Sequence, residues 1–278
     1  MKVEKIYVAL DFKSATKSVL SHALWLSQTF DCKKLCLFHI MEYTLTPPAY
    51  LMPYINKEKQ KAEATLKSLV EEIAIYKLDV DIKVVFGRLI ESIKEVIKDE
   101  KAIAAIGFKT HITRPSTSER ILKGLRIPVL IVKGEDFKEI SPQAIKVKRI
   151  LCPIDFSSYS LRALEIAKEV AKKWNCQLKV LHVVPEQKIK MIIEEPSEVE
   201  KYIENLREEA SGEIEKIDKN LQYEILSGSP AEEILKKSKE TDLIVIGSKG
   251  RSYTEAVIIG SVAEAVIKNS STPVLLVH

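Results

Sequence analysis

The chain has 4 cysteines in 278 residues, Cys32, Cys36, Cys152 and Cys176, and no Cys-x-x-Cys pair. That removes the spacing of a thioredoxin-like dithiol. Cys36 and Cys152 fall inside apolar runs, as buried free thiols in a reducing compartment do. Charge of one sign is also missing. The balance is 43 basic to 39 acidic residues, a net +4 spread along the sequence, which gives no footing for a nucleic-acid partner. No apolar run approaches the ~20 residues of a membrane span. The opening residues, Met1 to Asp11, read as a strand and have no apolar h-region, so no signal peptide and a cytoplasmic location are expected. Glycine is scarce, with 9 residues, and several stand where an apolar run stops.

What the chain does contain is a repeat. A hydrophobic share of 46% and a charged share of 29% fit a globular protein long enough for two domains. Lys5 to Phe12 (KIYVALDF) is echoed by Arg149 to Phe156 (RILCPIDF), and Lys34 to Ile40 by Leu178 to Val183. Val84 to Gly87 pairs with Glu224 to Gly228, Ala102 to Gly107 with Leu243 to Gly247, and Pro128 to Val132 with Pro273 to Val277. The offsets hold the register: Asp11 to Asp155 is 144, His39 to His182 is 143, Gly107 to Gly247 is 140, and Pro128 to Pro273 is 145. The domains expected are 1–135 and 147–278, with 136–146 as the linker.

Near-continuous apolar strands alternating with amphipathic helices predict parallel sheets covered on both faces. The fold class is therefore α/β: two tandem Rossmann-like three-layer domains, each with a five-stranded parallel sheet. The final strand of each copy follows a proline and reads as an edge, so the copies are expected to join there as a pseudo-dimer. Long polar helices are expected over about 56–76 and 197–219. In the second copy Leu161, Leu164, Ala167, Ala171 and Trp174 share one face, with Ser157 or Ser158 as N-cap.

The chemistry concentrates late in the sequence. Gly247-Ser248-Lys249-Gly250 follows the apolar run Leu243 to Ile246, and Gly260-Ser261 opens a helix-like pattern. A strand, a glycine loop and a glycine-serine at a helix start together form a phosphate cradle, because backbone N–H groups and the helix dipole favour an anion there. Asp155, Val183, Gly228 and Gly247 all sit at carboxyl ends of strands, where ligands of such sheets bind.

These motifs resemble the universal stress protein family, in its ATP-binding subgroup. The family pattern Gly-x2-Gly-x9-Gly-(Ser/Thr) matches Gly247, Gly250, Gly260 and Ser261, and Pro153-Ile154-Asp155, His182-Val183-Val184 and the ending Asn269 to Val277 agree as well. The resemblance covers both copies and implies an adenine nucleotide alpha hydrolase-like fold. It also implies that ATP (or ADP or AMP) binds in the second copy. Asp155 would meet the ribose and adenine side, with Pro153 and Ile154 beside it. Val183 would offer its backbone to the base. Gly247, Ser248, Gly250, Gly260, Ser261 and Val262 would hold ribose and phosphates, and Lys249 and Arg251 would add charge. A divalent ion such as Mg2+, where present, would be held through phosphate oxygens and water; the sequence shows no protein metal cluster.

The first copy departs from the pattern. Thr110 stands where Gly250 stands, Gly107 to Pro128 spans 21 positions against 26 for Gly247 to Pro273, and Pro115-Ser116 lies opposite Gly260-Ser261. A structural or regulatory first domain is expected, with Arg114, Arg120, Lys123 and Arg126 as a solvated basic face. His39 and His182 read as hydrogen-bonded structural histidines. Tyr50, Met52 and Tyr54 read as packed. No catalytic residue is assigned, since no Walker-type loop and no evident base for water are present. The functions in contention are a nucleotide-binding stress or regulatory protein with an unidentified protein partner, a slow ATPase or adenylyl-transfer enzyme, and a nucleotide-independent scaffold. How chains associate, homodimer included, is left open.

Overall fold

The computed structural model describes the whole chain except residues 13–14, 44–46, 109–119, 121, 123 and 251–258. It divides into two compact units, Met1–Lys146 and Val147–His278.

In the first unit the order is β1 (Lys5–Ala9), α1 (Thr16–Thr29), β2 (Lys34–Glu42), α2 (Met52–Glu72), β3 (Asp79–Gly87), α3 (Leu89–Val96), β4 (Ala102–Gly107) and β5 (Val129–Val132). Its strands lie in the order β3-β2-β1-β4-β5, all parallel. The second unit repeats the plan with β6 (Arg149–Ile154), α4 (Ser158–Trp174), β7 (Gln177–Val184), α5 (Glu186–Lys190), α6 (Pro196–Ile217), β8 (Gln222–Ser227), α7 (Pro230–Ser238), β9 (Leu243–Gly247), α8 (Ser261–Asn269) and β10 (Val274–Val277). Its order is β8-β7-β6-β9-β10, again parallel. In each unit the chain winds outward for three strands and then returns past its own start. The point of return lies between β1 and β4, and between β6 and β9, where open parallel sheets form a ligand crevice.

The central strands are apolar because both faces are covered: β4, β9 and β10 are buried almost throughout. Helix α4 shows how local chemistry fixes the ends. Ser157 caps it by accepting the Ser160 amide, Lys172 and Lys173 lie in its last turn, and Asn175 ends it in the left-handed region. Its buried stripe is Ala163, Leu164, Ile166, Ala167 and Val170. Leu161, Ala171 and Trp174, expected to share the buried face, are only partly covered.

Helix α1 starts differently. Ala15 precedes it in the left-handed region and provides no side-chain cap. The acceptor comes instead from Asp136, whose Oδ1 takes the Ser18 amide at 2.8 Å. The following residues run along the same helix: Lys17 Nζ donates to the Lys138 carbonyl, and the Ser141 amide donates to Ser21 Oγ. Phe137 stacks on His22 at 6.1 Å between ring centroids.

Two expectations are corrected. Tyr50 and Tyr54, read as packed, are 78% and 64% exposed, with Met52 also on the surface. Met52 and Tyr54 lie in the first turn of α2, whose buried residues, Ala62, Leu66 and Leu69, come later in the helix. The first long helix begins earlier than expected, at Met52, while the second begins at Pro196, where it was expected; each has a proline in its first turn that needs no N–H partner. Among the described residues no helix is long and apolar enough to cross a membrane.

Candidate functional site

The carboxyl end of β6 makes a tight polar turn. Asp155 Oδ1 accepts the Ser157 amide at 3.1 Å, the two-residue reach of an Asx turn, and the Ser157 hydroxyl at 2.6 Å. The Asp155 amide donates to Ser160 Oγ at 3.3 Å. Between them Phe156 sits at φ 62°, a left-handed conformation that costs a bulky residue about 1–3 kcal/mol unless its surroundings hold it. The holder is His182 of β7. Its ring lies 4.9 Å from Phe156, and its Nδ1 donates to the Ile154 carbonyl at 2.9 Å. The first unit repeats this with Phe12 at φ 59° and His39, whose ring is 4.5 Å away and whose Nδ1 donates to the Leu10 carbonyl. Both histidines are hydrogen-bonded to the backbone, as expected.

Val183 follows His182. The Gln177 amide donates to Lys148, and the Val184 carbonyl accepts from Gly228. Backbone groups alternate sides along a strand, so Val183 turns toward β6 and Val184 toward β8. The β6 ladder ends at Ile154 opposite His182. The Val183 carbonyl thus faces the space beyond the end of β6. Gly228, at the end of β8, has φ +144°, which L side chains rarely adopt.

Pro153 also affects the sheet itself. Its position turns toward β9, and it has no N–H to give. The β6–β9 ladder accordingly stops at Leu151–Ile244, whereas β1 pairs with β4 up to Ala9–Ile106. The pairing of β6 with β9 is therefore short at the carboxyl end of β6.

On the other wall stand Gly247 to Gly250. A Cβ on Gly247 would lie 2.7 Å from the Ser160 amide nitrogen and 2.7 Å from the Tyr159 carbonyl carbon. On that side of Gly247 the first turn of α4 fills the space a side chain would need. Ser248 is fully buried, and its amide donates to Val277 while its carbonyl accepts the Gly260 amide at 2.7 Å. That last bond ties the two ends of the glycine loop together at the start of α8. The Ser248 hydroxyl has no hydrogen-bond partner among the described residues. Lys249 is only 7% exposed, and its ammonium lies 5.6 Å from the centre of the Tyr159 ring. Its carbonyl accepts from Ser157 Oγ at 3.2 Å.

The expected site residues thus fall into two walls. Pro153, Ile154, Asp155 and Val183 belong to the strand ends of β6 and β7. Gly247, Ser248, Lys249 and Gly250 continue β9, and Gly260, Ser261 and Val262 open α8. Arg251 lies outside the described residues. Ser157 joins the walls, a role its sequence position alone did not reveal; the signal was its two-residue spacing from Asp155. Among the described residues no group of three or more His, Cys, Asp or Glu is placed to hold a metal.

In the first unit Phe108 occupies the place of Ser248. It is buried, its amide donates to Val132, and the Lys133 ammonium lies 3.8 Å from its ring centre. Arg120 is paired with Glu42 at 2.6 Å, and Arg126 is exposed. Thr110, Arg114, Pro115, Ser116 and Lys123 lie outside the described residues.

Comparison with known proteins agrees with both halves of the repeat. The model of the universal stress protein family matches residues 2–133 and again 146–278. Universal stress protein MJ0531 of Methanocaldococcus jannaschii is 36% identical over 141 residues, which cover 47% of this chain and 81% of that protein. Universal stress protein YxiE of Bacillus subtilis is 35% identical over 151 residues, 47% of this chain and 98% of that one. The crystal structure of a universal stress protein from Archaeoglobus fulgidus DSM 4304 shares the fold, with a TM-score of 0.67 at 23% identity, covering 99% of this chain and 98% of that one. The chain therefore belongs to the universal stress protein family and carries the family's domain twice.

Proposed function

We propose that the second unit binds one adenine nucleotide, ATP being the first choice, and that the protein acts as a nucleotide-dependent regulatory component of a stress response. The observation that carries this reading is the polar bridge Asp155–Ser157–Lys249, which joins the strand end suited to a ribose to the loop suited to phosphates.

The residues present fit such a ligand. A fully buried hydroxyl without a partner, Ser248 Oγ, costs about 1–3 kcal/mol and is offset when a polar group arrives. The Val183 carbonyl suits the exocyclic amine of adenine, and Pro153 and Ile154 give the base an apolar neighbourhood. The Asp155 carboxylate accepts ribose hydroxyls. Amides at the start of α8, with the dipole of that helix, suit phosphate oxygens. ATP supplies charge and shape here, and Mg2+ would travel with its phosphates.

The first unit has a structural or regulatory role in this reading. The benzyl ring of Phe108, with Lys133 over it, stands where Ser248 leaves a small polar site. The test is thermal unfolding with ATP, ADP, AMP and GTP. A nucleotide at 100 times its dissociation constant adds about 2.7 kcal/mol of stability. An unchanged melting point with every adenine nucleotide rejects the reading; Ser248→Phe, which copies the first unit, is expected to abolish the shift.

A further inference from the structure

Ser157 has one hydroxyl proton and two acceptors within reach. Asp155 Oδ1 stands at 2.6 Å and the Lys249 carbonyl at 3.2 Å. The oxygen itself accepts the Ser160 amide at 3.2 Å, so the hydroxyl is held in place as the cap of α4 and only its proton is free to choose. As the chain stands, the carboxylate wins, because a short charge-assisted bond is about twice as strong as a neutral one.

Asp155 Oδ1 is already fully used. It accepts the Ser157 amide and the Ser157 hydroxyl, and a carboxylate oxygen offers about two lone-pair sites. A ribose hydroxyl arriving at Oδ1 must displace one of these, and the rotatable hydroxyl yields more readily than the amide. One arriving at Oδ2 draws charge away from Oδ1 and weakens the same bond. In both cases the balance for the Ser157 proton moves toward the Lys249 carbonyl, which belongs to the glycine loop.

We propose that Ser157 is a positioning residue that transmits ribose occupancy at Asp155 to the Lys249 peptide, firming Lys249 and Gly250 only when the nucleotide carries its ribose hydroxyls. This rests on the nucleotide reading above. The first unit has Lys13 at the matching position, by the offset of 144, and its helix α1 starts without a side-chain cap from its own N-terminus.

The experiment compares the unmodified protein with Ser157→Ala and Ser157→Thr, using ATP, 2′-deoxy-ATP and 3′-deoxy-ATP. Affinity is read by calorimetry, and amide exchange is followed at Lys249 and Gly250. With ATP, Ser157→Ala is expected to weaken binding about tenfold, and ATP no longer slows exchange at Lys249 and Gly250. Ser157→Thr, which keeps the hydroxyl, retains both. With the deoxynucleotide that lacks the contact to Asp155, the effect of Ser157→Ala shrinks to about twofold or less, since there is no occupancy to transmit. An equal loss for all three nucleotides would mean that Ser157 only caps α4, and overturns the proposal while leaving nucleotide binding intact. No binding of any adenine nucleotide by the unmodified protein overturns both.

Discussion

Gly247 and Ser160 approach so closely that a Cβ on the glycine would stand 2.7 Å from the Ser160 amide nitrogen. In the first unit the matching contact is looser. A Cβ on Gly107 would meet Val19 Cγ2 at 3.3 Å, the end of a side chain and not a helix backbone.

Alanine substitutions at the two glycines should therefore differ in cost. Gly247→Ala must push α4 off the sheet and is expected to destabilise by about 3 kcal/mol, whereas Gly107→Ala should cost about 1 kcal/mol or less. Urea unfolding of the two variants measures the difference. Equal costs would contradict the packing described.

Ser248→Ala removes a buried hydroxyl that has no partner among the described residues. Without nucleotide it should raise stability by about 1 kcal/mol, since a desolvation cost disappears. With ATP the gain from ligand should shrink, because the variant has lost a contact. Unfolding midpoints with and without ATP read both effects, and their opposite signs separate a ligand role from a purely structural one.

His22 gives a pH dependence. It is buried on α1, its Nδ1 donates to the Ser18 carbonyl at 2.8 Å, and burial holds its pKa below the ordinary 6.5, against the weaker upward pull of that bond. The unfolded chain takes up the proton near pH 6.5 and the folded one only at lower pH. Stability from this group is thus complete above about pH 6.5 and falls as pH drops toward the folded value. The slope is at most about 1.4 kcal/mol per pH unit. Urea midpoints of the unmodified protein and His22→Gln between pH 5 and 8 should converge on the acid side.

The thiols should react in a fixed order. Burial pushes all four up, Cys36 to about 11 and Cys152 further still. Cys176 is partly exposed while the others are buried, and its Sγ lies 3.0 Å from the Val147 carbonyl. A disulfide reagent at pH 8 should therefore modify Cys176 first in the folded protein and reach all four only in denaturant. Prompt reaction of Cys152 would contradict its burial.

The architecture was open to reading because each strand is an apolar run ended by a residue with its own chemistry: Asp155, His182, Gly228, Gly247. Repetition supplied the register, and the alternation of strands and helices supplied the parallel sheet. Contacts between distant residues left no such mark. The approach of α4 to Gly247 and the bond from Ser157 to Lys249 join positions about ninety residues apart, and no local pattern predicts which side chain will face which. The offset of 140 sets Phe108 opposite Ser248, yet the sequence does not show that Phe108 is buried with Lys133 over its ring. The exposed Tyr50 and Tyr54 misled for the same reason, since composition tells what a side chain prefers and not whether a neighbour is available to cover it.

The Asp136 contact to the start of α1 bears on where the chain can be cut. A fragment ending at Val132 would keep every strand of the first sheet and still lose the acceptor for the Ser18 amide, the Lys138 carbonyl and the Ser141 amide that follow α1. A first half cut for separate preparation should therefore keep residues through 146, where the first compact unit ends, well after its last strand. An isolated half prepared with that ending carries its own helix cap, and one prepared without it starts its first helix bare.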